Sequence, residues 1–372
     1  MLSPRERLSE QELERRHSAV RNKMQERGLE LMLVSGVRFV GATGYLRYLT
    51  NWAEPFAGES LIFPREGSPI FCARTTERAY LVKHLLGLEA VVGSTANVVA
   101  DNLRKYGTNH IGICGLKTMF ADFYVQLTKE LPGFQFEEVS DLLDEVRMVK
   151  SEEELGWVEQ SASLGDMGFQ TFFSLLKEGR PEFEVFVEVE HLLKRFGAEN
   201  TYYMMAADPK PVPKFIDMSF DHYEKGDLVL FNAEIAGPAG YWTQLMRTLS
   251  LGEPSPESVA AFSACIKGLE AGESLLKPGR NCIEVYNAIV DTIEQEGHHI
   301  GLHPGHGQGL DIFERPLIND KENVDLKSGM VIILHPHVRM PSGGGVFIGE
   351  SYVITDEGCR RLHKSNREMA IV

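Results

Sequence analysis

Two histidines, His303 and His306, stand among the glycines and prolines of Gly301–Pro316, GLHPGHGQGLDIFERP. Glycine lets the backbone pass close to another group, and a histidine on such a loop faces a cleft more often than a core. Further along, His335 and His337 alternate around Pro336, and Glu350 interrupts the apolar run GVFIGESYVIT. A carboxylate inside an apolar strand is costly unless it is paired or takes part in chemistry. Upstream, 227–236 and 240–250 read as a strand pair. Period two puts Asn232 and Glu234 on one face, and Gln244, Met246 and Thr248 on one face. A bulge near Gly237-Pro238 would turn either set around. With His306, these residues would form one inward-facing polar cluster.

The elements that position them fall into two parts. In the first, residues 10–28 read as a charged amphipathic helix ending at Gly28, and Leu31–Val34 as a short buried strand. The following stretch TGYLRYLTNWAEPFAGES reads as an aromatic-rich loop. Strands at Leu61–Phe63, Pro69–Cys72 and His110–Cys114 alternate with helices at Thr75–Leu86, Ala96–Lys105 and Met119–Leu131, which implies a small α/β domain. The seam is RMVKSEEEL, where Ser151 and Glu154 form a capping box that opens a long helix over about Glu152–Leu176. The boundary is expected at 148, with domains 1–148 and 149–372.

Beyond the seam the chain repeats itself. GRPEFEVFVEVEHLLKRFG from Gly179 matches GRNCIEVYNAIVDTIEQEG from Gly279, and KGDLVLFN matches SGMVIILH, so that Asn232 and His335 hold equivalent places. Matched segments in matched order predict a pseudo-twofold α+β domain with a shared cleft.

The net charge of −15 and the absence of a basic patch argue against nucleic acid and anionic membrane as partners. The apolar content of 43% and charged content of 24% are those of a soluble globular protein. Five scattered cysteines with no CxxC pair read as free thiols in a reducing cytoplasm. The charged N-terminus carries no export signal, and no apolar run reaches transmembrane length. A cytoplasmic protein acting on a small molecule is the expectation.

GDLVLFN, GYWTQLMRT, HPGHGQGLDIFERP, GMVIILHP and GVFIGESYVIT resemble, in order and spacing, the motifs of the Xaa-Pro aminopeptidase, methionine aminopeptidase and creatinase superfamily. The resemblance covers Arg147 to about Arg360 and implies the pseudo-symmetric pita-bread fold. The N-terminal part is similar to the α/β domain of Xaa-Pro peptidases and creatinase. Peptidases of this superfamily hold two metal ions with Asp, Asp, His, Glu and Glu. At those positions this chain has Asn232, Gln244, His306, His335 and Glu350, so one carboxylate stands where four are expected. Two hard cations need anionic oxygens to offset and bridge them. Phe313 stands where peptidases carry a histidine. Creatinase works without metal and resembles this chain at Asn232 and Glu350. It differs at Met246, where it has a glutamate, and at about Phe215, where it has its catalytic histidine.

The expectation drawn from this pattern is a metal-independent, creatinase-like hydrolase of a C–N bond in a small amidine, amide or amino-acid-like substrate, with no cofactor. His306 and His335 would move protons, and Glu350 would orient water or a cationic group. Asn232 and Gln244 would give neutral hydrogen bonds, with His303, His337 and Tyr203 lining the substrate. In creatinase-like homodimers a loop of the first domain reaches the partner's cleft, so the resemblance implies a shared site with Trp52 and Phe56 contacting substrate. One alternative is a single divalent metal on His306, His335 and Glu350, with His303 or His337 as a fourth ligand. Another is a non-catalytic relative that binds a ligand or partner.

Overall fold

The computed structural model describes residues 8–36, 44–52, 58–212, the backbone of 214–215, and 220–372. The chain divides into two compact units, Met1–Arg147 and Met148–Val372.

The first unit alternates helices and strands as their patterns require. Its helices are α1 (Glu10–Glu26), α2 (Gly44–Thr50), α3 (Thr76–Leu86), α4 (Ala96–Leu103), α5 (Ala121–Glu130) and α6 (Ser140–Met148). Its strands are β1 (Leu31–Ser35), β2 (Ser60–Pro64), β3 (Ile70–Ala73), β4 (Glu89–Val92), β5 (His110–Cys114) and β6 (Gln135–Glu138), in the order β4-β3-β2-β1-β5-β6. The parallel pairs are β1–β5, β5–β6 and β3–β4, and the rest are antiparallel. Leu31, Leu33, Ile62 and Ile111 bury one sheet face against Val99, Leu103, Leu127 and Leu131 of the helical side. Ser9 and Thr75 cap α1 and α3 through their side-chain oxygens. The expected α/β character holds. The structure adds β4, β6 and α6, and turns Gly44–Thr50 from an expected loop into a helical segment too short to show a period. Strands β4 and β6 are half-exposed, so they carry no apolar run that a sequence would reveal.

The second unit is built twice. Its first half holds α7 (Glu152–Leu175), α8 (Glu182–Arg195), β7 (Asn200–Asp208), β8 (Lys214–Phe215), β9 (Leu228–Ala236) and β10 (Trp242–Ser250). Its second half holds α9 (Pro256–Leu275), α10 (Cys282–Gln295), β11 (Gly305–Gly307), β12 (Glu314–Ile318), β13 (Val331–Leu334), β14 (His337–Arg339), β15 (Gly345–Phe347), β16 (Glu350–Ile354), β17 (Cys359–Arg361) and β18 (Ala370–Ile371). The two main sheets run β18-β10-β9-β7-β8 and β12-β11-β13-β16-β17.

Each sheet carries a helix pair on its outer face. Phe172, Val185, Val189 and Leu193 of α7 and α8 pack on Tyr203, Met205, Phe231, Ala233, Ile235 and Leu249. Leu269, Val285, Ile289 and Ile293 of α9 and α10 pack on Ile332, Leu334 and Tyr352. The α9–α10 crossing depends on Gly268 and Gly272. A Cβ there would lie 2.8 and 2.7 Å from Ile293 and Ile289, closer than two carbons can sit. The capping box expected at Ser151 and Glu154 opens α7, and Asn281 with Glu284 forms a second one opening α10.

The odd-numbered residues of β9 face the helices, so the even-numbered ones face the other sheet. There Met246 bridges Gly349, and the Gln244 N–H donates to Ser351 Oγ at 3.1 Å. The cleft lies between these two inner faces.

A candidate hydrolase site between two sheets

Strands β9 and β10 pair without a register shift, so Glu234 stands opposite Gln244 and Asn232 opposite Met246. No bulge turns either set around, and all four share the inner face. Asn232 and Gln244 are fully buried and bonded to each other. Gln244 Nε2 donates to Asn232 Oδ1 at 3.0 Å, and Asn232 Nδ2 donates to Glu234 Oε1 at 3.3 Å. Burial pushes the Glu234 carboxyl up to about 7, against the opposing pull of the Asn232 amide.

The second sheet contributes the histidines. His306 on β11 lies between β12 and β13, and His335 follows the end of β13. His303, His306 and His335 bring one ring nitrogen each within 4.8 Å of one another. The rings of His303 and His306 both have centroids 5.2 Å from that of His335. His306 Nδ1 lies 2.9 Å from the Gly307 carbonyl. A carbonyl only accepts, so Nδ1 carries the proton and the Nε2 lone pair is left free. Phe313 stacks on the His306 ring at 3.9 Å and fixes its plane. Burial pushes His306 down to about 3, His335 well below the ordinary histidine range, and His303 down in the same direction. The three imidazoles are therefore neutral near pH 7. His303 is exposed and the other two buried, so the group opens to solvent on one side.

Neutral imidazoles with converging lone pairs are ligands for a borderline divalent ion, and three of them leave an open position. Two ions do not fit. Asn232 and Gln244 bring no charge, and Glu350 is already engaged. Its Oε1 takes a 2.6 Å ion pair from Arg247, with Arg361 and Arg367 each at 3.5 Å, while His363 Nδ1 lies 3.6 Å from Oε2. Burial alone would raise the Glu350 carboxyl, but His363 and Arg247 outweigh it and hold the group below its usual range.

This geometry separates the expected residues. His303, His306 and His335 come together, and Asn232 and Gln244 line the facing sheet. Glu350 does not join the histidines, which corrects the expected set of His306, His335 and Glu350. Its charge is compensated by Arg247, a partner about a hundred residues away in sequence. Tyr203 faces the helices instead of the cleft: its hydroxyl donates to Glu190 at 2.9 Å and its ring packs edge-on to Phe186. Tyr202 is the residue of that pair that stands in register with Glu234 on the inner face. The His337 ring is buried away from the trio between Gly301 and Gly345, where a Cβ would lie 2.1 and 2.5 Å from ring nitrogens. Trp52 belongs to the first unit, where its indole donates to Glu59 at 3.2 Å. Phe56 lies outside the described residues. Glu314 pairs with Lys150 at 3.0 Å, and Arg315 with Glu322.

One cleft residue, Gln308, carries no signal in the sequence. Gln308 is fully buried, accepts from Ser351 Oγ at 2.7 Å, and has no partner for its Nε2. Glu234 was placed on the right face by its parity, but nothing in the sequence tells that one of its oxygens lacks a donor.

The model of metallopeptidase family M24 matches residues 157–356, and that of the creatinase/prolidase N-terminal domain matches residues 16–149. The chain belongs to metallopeptidase family M24. It is similar to an uncharacterised peptidase, YqhT, of Bacillus subtilis (strain 168), with 26% identity over 364 residues, 95% of this chain and 99% of that one. It is 25% identical over 332 residues to an Xaa-Pro dipeptidase of Pyrococcus horikoshii, covering 87% and 91% of the two chains. The crystal structure of the prolidase from Pyrococcus horikoshii OT3 superposes with a TM-score of 0.85 at 23% identity, over 95% of this chain and 99% of that one. The Xaa-Pro dipeptidase structure from Bacillus anthracis gives 0.84 at 22% identity, over 97% and 100%.

The two-domain, pita-bread architecture of this M24 hydrolase is thus the one its motifs announced. The expected chemistry is not. A metal-independent, creatinase-like enzyme is overturned by the metallopeptidase family match and by relatives described as Xaa-Pro dipeptidases. Carboxylates are missing from the inherited ligand positions, and His303 is expected there as a substrate contact or, in the alternative, as a fourth ligand. The structure brings His303 into a group that could hold an ion. No helix among the described residues is long and apolar enough to cross a membrane.

Proposed function

We propose that this M24 hydrolase cleaves the peptide bond of short peptides, of dipeptide size, and holds a single divalent cation on His303, His306 and His335. The convergence of three neutral imidazoles within 4.8 Å carries the reading. The dipeptidase descriptions of its relatives point to the same bond class. An ion held there would supply Lewis-acid polarisation of a substrate carbonyl.

The chain's own residues do the rest. The Gly307 carbonyl fixes the His306 tautomer, and Phe313 holds its ring plane. Asn232 and Gln244, bonded to each other, form a neutral wall opposite. The Arg247–Glu350 ion pair is buried and ties the two sheets together.

The test is release of free amino acids from a panel of dipeptides, Xaa-Pro members included. The protein is assayed as purified, after chelation, and after return of zinc, manganese or cobalt. The proposal expects turnover that chelation abolishes and one added metal restores. Turnover untouched by exhaustive chelation, or no cleavage of any dipeptide with metal restored, contradicts it.

A further inference from the structure

Glu234 and Gln244 are direct cross-strand partners on the inner face, each about 4% exposed. Directly opposed side chains of an antiparallel pair have Cβ atoms about 4.5–5.5 Å apart, close enough to grip one group. Each presents an acceptor with nothing to accept. Glu234 Oε1 takes the Asn232 amide, but Oε2 has no donor. Gln244 gives its amide protons to Asn232 Oδ1 and Met246 Sδ, while its Oε1 has no donor. The bonds that Asn232 makes to both side chains hold them in place.

A buried carboxylate normally has a basic partner. Glu350, in the same unit, has Arg247 within ion-pair distance and three more basic groups within 3.6 Å. Among the described residues no Lys, Arg or His is paired with Glu234, and burial raises its carboxyl. Among those residues Glu234 thus has no basic side chain beside it, and a cation brought to it would favour its ionised form. What complements two adjacent orphan acceptors, one of them ionisable, is a compact cation with several N–H donors. A primary ammonium has three donors and the right sign.

We propose that Glu234 and Gln244 form a receptor for a primary ammonium group of the substrate, and so select substrates with a free amine at the cleft. The proposal rests on the peptidase reading only in that a free α-amino end is the nearest such group on a short peptide. A lysine-type side chain offers the same chemistry. The charge of Glu234 sets the preference, and the Gln244 oxygen aligns the second N–H.

The experiment measures binding without turnover, so it stays separate from whether peptides are cleaved. Metal-loaded protein is titrated calorimetrically with L-leucinol, which has an ammonium and no hydrolysable bond. N-acetyl-L-leucinol and Nα-acetyl-L-lysinol, whose ammonium is on the side chain, are the comparisons. The wild type should bind an ammonium-bearing probe at least tenfold more tightly than N-acetyl-L-leucinol. Glu234→Gln keeps the shape and removes the charge. It should lose that preference, with N-acetyl-L-leucinol binding unchanged and an unaltered thermal midpoint. Tighter binding of leucinol assigns the receptor to the α-amino end, and tighter binding of Nα-acetyl-lysinol assigns it to a side chain. Equal binding of acetylated and free-amine probes by the wild type, a preference that survives in Glu234→Gln, or no binding of any probe overturns the proposal.

Discussion

Arg247→Met is expected to destabilise the protein by about 3–5 kcal/mol, the usual cost of stripping one partner from a buried ion pair. The Arg247 side chain is 1% exposed and satisfied at every nitrogen. Nε donates to the Asn366 carbonyl at 2.6 Å. One terminal nitrogen donates to Met246 and Gly349 carbonyls, at 2.8 and 3.0 Å. The other donates to Glu350 and to the Ser365 carbonyl, at 2.6 and 3.0 Å. Methionine of similar length fills much of the space but removes the donor from the Asn366 and Ser365 carbonyls and leaves a buried carboxylate without its closest partner, while the Met246 and Gly349 carbonyls keep each other's N–H. Arg361 and Arg367, at 3.5 Å, only partly compensate. The double variant Arg247→Met/Glu350→Met should recover part of the loss, because it removes the orphaned charge as well. Urea denaturation midpoints with unchanged slopes measure both. A single variant within 1 kcal/mol of wild type would show that the pair does not hold the two sheets together.

His306→Ala and His335→Ala are expected to lose the bound ion and to lower dipeptide turnover by roughly 10²-fold or more, since removing even the partners that orient metal ligands costs 10–100-fold. Both rings are buried and close to His303, and each would take away one of three neutral donors. His337→Ala is the contrasting variant. His337 is buried and lies one residue beyond Pro336, but its ring stands between Gly301 and Gly345 with neither nitrogen bonded. It should keep the ion at wild-type stoichiometry. Equal loss of metal in the His335 and His337 variants would mean that the ligand group is drawn wrongly.

The fold was legible because it is written twice. The apolar-Glu-Val triplets at residues 183–185 and 283–285 mark equivalent helices, and two such helix pairs must cover two equivalent sheets. Strand parity was legible too, so Asn232, Glu234, Gln244 and Met246 share one face as expected. What stayed hidden depended on contacts between distant segments. Glu350 looks like a free functional carboxylate until Arg247 is placed beside it. His303 looks secondary until the His335 N–H, donating to the Pro304 carbonyl at 2.7 Å, brings the two rings together. Tyr202 and Tyr203 differ only by parity on a strand whose edges the sequence does not mark, so the sequence does not tell that Tyr202 faces inward and Tyr203 outward. Substituted ligand positions suggested a metal-free site. One residue outside the inherited ligand positions, His303, joins two that occupy them, His306 and His335, in a group that could hold an ion.

The most direct measurement of the central claim is the metal content of the purified chain, by mass spectrometry of the elements. The protein is first saturated with zinc, manganese or cobalt and dialysed free of excess. One ion per chain is expected in the wild type and none in His306→Ala. Two ions per chain, or none under any of these conditions, would contradict that claim.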